Sequence, residues 1–206
     1  MKNMFVLVFI LRILFIEGSL SAQEKTPEAS YDRSDSLYNI YVEAIKDFNM
    51  PVYNTIGNHE LFGLYKSSGV DSTHRDYNDG MFKRYFGDTY YSFDHKGWHF
   101  IVLKSIVDAG NKYKGFIDLE QIAWLKDDLA KIDCTAPIIL ITHIPLITTY
   151  GQISKGALAP NDEELVVNNS QEILRILYSY NLKLALAGHL HIVEYTSIFK
   201  TESISW

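Results

Sequence analysis

One cysteine, Cys134, is all the thiol chemistry in this sequence. An intrachain disulfide and a zinc site built on thiolates are both excluded. Basic clusters are lacking too. Nineteen Lys and Arg stand against 25 Asp and Glu, the net charge is −6, and no Lys/Arg block occurs, so nucleic acid is not an expected partner. The apolar run near the start, Met4 to Ile16, is interrupted by Arg12 and is too short to cross a bilayer, so no transmembrane span is expected. Prolines number five in 206 residues, and no internal repeat or low-complexity block stands out. What is present is an ordinary globular composition, 47% apolar and 21% charged with 14 tyrosines, long enough to bury the core of one domain. Any metal would have to be held by histidine, carboxylate and amide oxygen.

The N-terminal run has two readings. Lys2 ahead of it and "GSLSAQE" after it, with small Ser19 and Ser21 placed for cleavage before Ala22, suit a secretory signal. Residues 1–21 would then be a leader and the protein exported, periplasmic or extracellular. Its Phe, Val, Ile and Leu content equally suits a buried first strand, which would leave the protein cytoplasmic. Residues 22–206 read as the domain proper.

Within that domain, residues 22–34 are polar and read as irregular. Leu37, Ile40, Tyr41, Ala44, Ile45 and Phe48 recur at helical spacing. "PVYNTI" reads as a strand ending at Gly57, and "YYSFDHKGWHFIVLKS" as a hairpin turning at Asp94–Gly97. Asp118 and Gln121 form a capping-box pattern ahead of a helix with Leu119, Ile122, Leu125 and Leu129 on one stripe. "APIILIT" is a buried-strand signature ending at His143; residues 144–167 read as a long loop; Ser170 reads as the cap of a helix with Ile173, Leu174 and Leu177 inward. "LKLALA" and "IVEYTSIF" are further strands. Strands alternating with helices indicate an α/β domain, in which ligands sit beyond the carboxyl ends of the strands.

All three polar clusters fall at such ends: "PVYNTI" runs into "GNHE", "PIILIT" into "HIPL", and "LKLALA" into "GHLH". Singly they are weak, since Gly57 can end a strand and Asn58 can sit in a turn. Together they place four of the seven histidines, His59, His143, His189 and His191, at or near strand exits. His74, His95 and His99 lie in a loop or hairpin and read as structural or solvated. Neutral imidazoles suit zinc, iron, manganese or nickel, with the Asn58 amide oxygen as a harder donor. A metal there can activate water and stabilise charge growing on a phosphoryl oxygen, while a spare histidine protonates the leaving alkoxide.

"GNHE", "LITHIPL" and "GHLH", in that order, resemble the later motifs of the calcineurin-like metallophosphoesterases, over roughly residues 35 to 199. The resemblance implies a two-layer β-sandwich flanked by helices, two divalent ions (Mn, Fe or Zn), and a small-molecule phosphoester as substrate. It also implies that Asn58, His143 and His189 bind the second metal, His191 the first, and that His59 is the acid assisting the leaving group. Glu60 matches an acidic position that is structural rather than catalytic.

Two family motifs have no counterpart here. No Asp-x-His precedes Asn58, His59 being the first histidine of the chain, and the Gly-Asp motif reads Gly18-Ser19, with Glu17 beside it. Four of the family's seven protein ligands therefore remain, three on the second metal and one on the first. The expectation is a domain truncated at both ends, holding one metal and hydrolysing phosphoesters (phosphatase or phosphodiesterase) weakly. Its alternative is a non-catalytic relative that binds a metal, a phosphorylated ligand or a partner protein. Lys104 stands where related sequences tend to carry Asp, so a basic group is expected near the site. Oligomeric state is not readable.

Overall fold

A computed structural model describes residues 7–10, 27–110, 112–198 and 201–205. Its centre is a six-stranded sheet in the order β3-β4-β7-β8-β10-β9. These strands are β3 (Tyr91–His95), β4 (Trp98–Val102), β7 (Pro137–Ile141), β8 (Asn181–Ala187), β9 (Glu194–Ile198) and β10 (Thr201–Ser205). From β4 to β10 the neighbours run parallel, while β3 and β9 close the two sides antiparallel. Parallel neighbours need long crossovers, and helices α3 (Leu119–Leu129) and α5 (Ser170–Leu177) provide them.

Alternation along the strands sorts side chains to two faces. Ile101, Leu103, Ile138 and Leu140 join Ile122, Leu125 and Leu129 of α3 and Ile173 and Leu177 of α5 in the main core. Phe100, Val102 and Ile141 face the other way, with Tyr91, Phe93, Ile139 and Leu186 packed against them. Each large aliphatic side chain so buried contributes about 1.5–3 kcal/mol of transfer free energy. Strand β8 changes phase midway: Ile138 pairs with Leu182 but Ile139 with Leu184, so Lys183 bulges out and the apolar alternation resumes one residue late.

Two ribbons complete the β structure. Strand β1 (Leu7–Ile10) pairs parallel with β2 (Val52–Thr55). Tyr53 of β2 stacks on Phe93 with 3.5 Å between ring centres and 3° between planes, and the Tyr91 hydroxyl donates to the Asn54 carbonyl at 2.8 Å. The smaller sheet is thereby held against the larger, a mixed α/β arrangement of sheets and flanking helices. The other ribbon pairs β5 (Ile106–Asp108) with β6 (Tyr113–Gly115).

Several local expectations are met and others corrected. The β3–β4 hairpin turns at Lys96 and Gly97, whose φ values of 50° and 80° suit the two-residue turn that matches strand twist. Helix α1 (Pro27–Lys46) begins well before Asp35, because Pro27 is tolerated in a first helical turn and tertiary contacts hold the helix from Tyr31 onward. Tyr31 meets Phe62 edge-on, and Tyr38 stacks on Tyr85 of α2 (Gly80–Phe86) at 4.8 Å. Of the expected stripe Tyr41 packs inward, joined by Tyr31 and Tyr38, while Ile40 and Phe48 are exposed.

Asp118 does cap α3, accepting the Gln121 N–H at 2.9 Å. The Gln121 side chain, instead of closing a capping box, bonds both the N–H and the carbonyl of Lys104, at 2.9 and 3.1 Å. Leu119 is exposed, so the α3 stripe starts at Ile122. Ser170 is the first residue of α5 rather than its cap, and the preceding Asn169 side chain is committed to the Ile117 backbone. Within 144–167 a short helix α4 (Tyr150–Lys155) forms. It is tied down by the buried Glu194 carboxylate, which accepts from the hydroxyls of Thr148 and Thr149.

Candidate metal centre

Gly57 opens the first exit loop. A Cβ here would lie 2.7 Å from a Glu60 oxygen and 2.9 Å from Cε1 of His143, so no larger residue fits without moving the histidine. The buried Glu60 carboxylate accepts the Gly57 N–H at 2.7 Å and closes a single 3-10 turn, Asn58–Glu60. That turn is what fixes Asn58, a structural role for Glu60.

The second exit loop is held from its backbone. The Ser105 hydroxyl, fully buried, accepts the N–H groups of both His143 and Ile144, at 3.1 and 2.8 Å. The carbonyl of His143 in turn accepts the Gly188 N–H at 3.0 Å, which links this loop to the third. There, His189 and His191 both adopt positive φ, 77° and 58°. Left-handed backbone is uncommon for residues with a Cβ and concentrates at functional sites. The ring of His189 rests against the edge of Tyr113 on β6, 5.8 Å between centres.

The result is a meeting of three donor atoms. Asn58 Oδ1 lies 2.8 Å from His143 Nε2 and 3.2 Å from His189 Nδ1, and the two ring nitrogens are 3.1 Å apart. A single proton on one ring nitrogen can bridge these atoms, and a cation in the middle would instead draw on all three lone pairs at once. With metal–ligand bonds of about 2.0–2.1 Å, neighbouring ligands of one ion sit about 3.0–3.4 Å apart, close to the separations here. The donor set, two imidazoles and an amide oxygen, suits a first-row divalent metal.

Burial pushes His189 down to about 4; a hydrogen bond to the Glu164 backbone opposes that shift, and the charges of His191 and His59 add to it. At neutral pH it is therefore an unprotonated, ligand-competent imidazole. His59 and His191 are exposed at the rim, within electrostatic reach of His189 but outside the donor triangle. Among the described residues no group of three or more His, Cys, Asp or Glu gathers as a cation site; the centre is legible only when the amide oxygen is counted. Glu17, Gly18 and Ser19 fall outside the described residues.

Lys104 does not stand as an open basic group. Its ammonium bonds Asp79 at 2.6 Å, and Asp79 also pairs with Lys83. Burial raises the Asp79 carboxyl, but the pull of Lys104 wins and its pKa is lowered overall. Sequence reasoning missed Ser105 and Tyr113. A serine directly after an apolar strand was the available signal for the first; nothing local marks the second.

Comparisons with known proteins bear on the family and the fold. Residues 30–193 match the calcineurin-like phosphoesterase family. Purple acid phosphatase 23 of Arabidopsis thaliana is 35% identical over 107 residues, covering 51% of this chain and 20% of the relative. Purple acid phosphatase 18 of the same plant is 32% identical over 109 residues, 52% of this chain and 22% of the relative. The chain thus matches about a fifth of the length of these curated relatives. In fold it is similar to a dimetal phosphatase from Danio rerio, with a TM-score of 0.54 and 16% identity over 86% of this chain and 66% of that one.

Proposed function

The chain belongs to the calcineurin-like phosphoesterase family, and on that premise we propose that it hydrolyses a small-molecule phosphate monoester at a single divalent cation. Metal-dependent phosphoester hydrolysis is the chemistry of the family, and similarity to two purple acid phosphatases favours a phosphatase over a phosphodiesterase. The observation that carries the reading is the convergence of Asn58, His143 and His189 within 3.2 Å of one another.

These three side chains would hold manganese, iron or zinc. When bound, such an ion supplies Lewis-acid polarisation of a phosphoryl oxygen and acidifies water. The protein's own contributions are distinct. Burial keeps the His189 lone pair available at neutral pH. Gly57, Glu60 and Ser105 fix the positions of Asn58 and His143, so little reorganisation is needed on binding. Exposed His59, next to Asn58 in the same turn, stands where it can give a proton to the leaving alkoxide. His191, on the other rim, would serve a first metal, toward which the sequence offers one ligand.

A second reading, binding of a phosphorylated ligand without turnover, is favoured by Ser19 after Gly18, where the family's Gly-Asp motif would carry a carboxylate. Hydrolysis of p-nitrophenyl phosphate and its bis ester, with manganese, iron or zinc supplied, separates the two. Metal-dependent monoester turnover that disappears in His143→Ala and His59→Ala supports the phosphatase. A chain inert on both esters with all three metals leaves the binding reading.

A further inference from the structure

A pocket beside the strand-exit loops plays no part in that reaction scheme. Between α1 and the stretch after Glu60 lies a cavity of ≈ 360 Å³ walled by Tyr31, Phe62 and His74, with the carboxylates of Asp32 and Asp71 on its lining. That volume is in the range of small-molecule sites. The three rings touch one another, at 5.7 Å and 80° for Tyr31 and Phe62, 5.3 Å and 59° for Tyr31 and His74, and 5.6 Å and 57° for Phe62 and His74. Steeply inclined rings form a corner rather than a stack.

The corner is pinned from behind. His74 Nδ1 accepts the Asp76 N–H at 3.1 Å, which fixes that ring. Asp71 Oδ1 accepts from the N–H and hydroxyl of Thr73, which fixes the loop. The neighbouring cations are spoken for. Arg75 and Arg84 reach Tyr31 at its hydroxyl, each at 3.3 Å, while Arg84 pairs with Asp35 and Asp76, and Arg75 lies 3.7 Å from Asp76. Aromatic walls with carboxylates alongside suit a cation with apolar substituents, above all a quaternary ammonium.

Its position ties it to the candidate centre. Phe62 also lines a small cavity with His59 and Glu60, whose α1 wall includes Ser34; Ser34 and Tyr31 lie one helical turn apart. The aromatic corner is therefore on the His59 side of the exit loop. Resting on the reading that His59 protonates the leaving group, we infer that the pocket binds a quaternary ammonium group on the alcohol portion of the substrate. The substrate class is then a phosphate ester of an ammonium alcohol.

Choline carries the cation without any phosphate, so it reports on the pocket alone. It is titrated calorimetrically into the full chain beside 3,3-dimethyl-1-butanol, its uncharged carbon isostere, and beside phenol. Choline is expected to bind at least about tenfold more tightly than the isostere. Asp32→Asn at an exposed position and Phe62→Leu in the wall are each expected to weaken it about fivefold. An isostere that binds as well as choline, phenol that binds better than both, or no binding by any of the three overturns the inference. Aryl phosphate turnover without choline binding overturns the ammonium site and leaves the phosphatase reading intact. Choline binding retained in a chain that hydrolyses no ester leaves the site standing and removes the phosphatase.

Discussion

His99 on β4 and His143, just past the end of the neighbouring β7, are both buried, 4% and 7% exposed, yet their surroundings differ in kind. His99 is finished by the protein itself. Its Nδ1 meets Asp94 at 2.8 Å, its Nε2 meets Asp128 at 3.0 Å, and Ser92 completes Asp128. His143 instead faces an amide oxygen and the imidazole of His189, whose backbone is left-handed. One network gives each ring nitrogen a carboxylate partner within the fold. The other gathers two imidazoles and an amide oxygen, a donor set that a cation can use. The contrast separates a histidine closed within the fold from a candidate ligand histidine without reference to any relative.

The sharpest way to break this contrast is through metal content. Dialysis against manganese, iron or zinc is expected to leave one ion per chain, and His143→Ala to lose it, with aryl phosphate turnover falling at least about a hundredfold. His99→Ala should retain the ion. Elemental analysis of the two variants side by side decides the matter, and equal loss in both would erase the distinction.

Stability should respond in the opposite sense. His99→Ala leaves two carboxylates without their shared donor and is expected to cost about 2–4 kcal/mol in urea unfolding, with or without metal. His143→Ala without metal should cost under about 1 kcal/mol, because it relieves the crowding of ring nitrogens. Added cation at about a hundred times its dissociation constant should stabilise the wild type by about 2.7 kcal/mol and leave His143→Ala unmoved.

Glycines sharpen the comparison further. Gly57→Ala places a Cβ against Glu60 and His143, and is expected to cost about 1–3 kcal/mol and weaken metal binding. Gly97→Ala meets open space but sits at φ 80°, so it should cost about 1 kcal/mol of turn strain and leave metal binding alone. The measurement is a thermal melt of each with and without zinc.

The smallest expected effect is on acid stability, away from both histidines. Hydrogen bonds from Arg84, then Tyr85, hold the Asp35 carboxyl below its ordinary value. A depressed folded value means stability present above the unfolded pKa and lost as pH falls through the folded one. Asp35→Asn should therefore lower stability near neutrality and flatten its decline below about pH 4, read from urea midpoints across that range.

Much of this was legible in the chain. Apolar runs ending in "GNHE", "HIPL" and "GHLH" locate strands β2, β7 and β8 and the loops after them, since a buried strand advertises itself by composition and its exit by glycine and polar residues. The early start of α1 was hidden because the polar segment before Asp35 is helical through Tyr31 and Tyr38, whose partners Phe62 and Tyr85 lie far along the chain. Leu119 reads as part of the α3 stripe yet is exposed, the inward place in that turn being taken by Gln121, which is fully buried and bonded to the Lys104 backbone. The pairing of Lys104 with Asp79 has no local signal at all.

The sequence by itself determined which residues are candidates to carry the chemistry, because donor atoms and strand propensity are properties of short segments. It determined equally that three such segments leave strands in the same sense. Tertiary structure decided that they meet. Asn58 and His189, 131 positions apart, come within 3.2 Å, because the small β1–β2 sheet is held against the larger one through Tyr53–Phe93 and Tyr91–Asn54, which brings the exit of β2 beside those of β7 and β8. The buried Ser105 hydroxyl, the tight approach at Gly57 and the left-handed backbone at His189 then set distances that no local preference encodes.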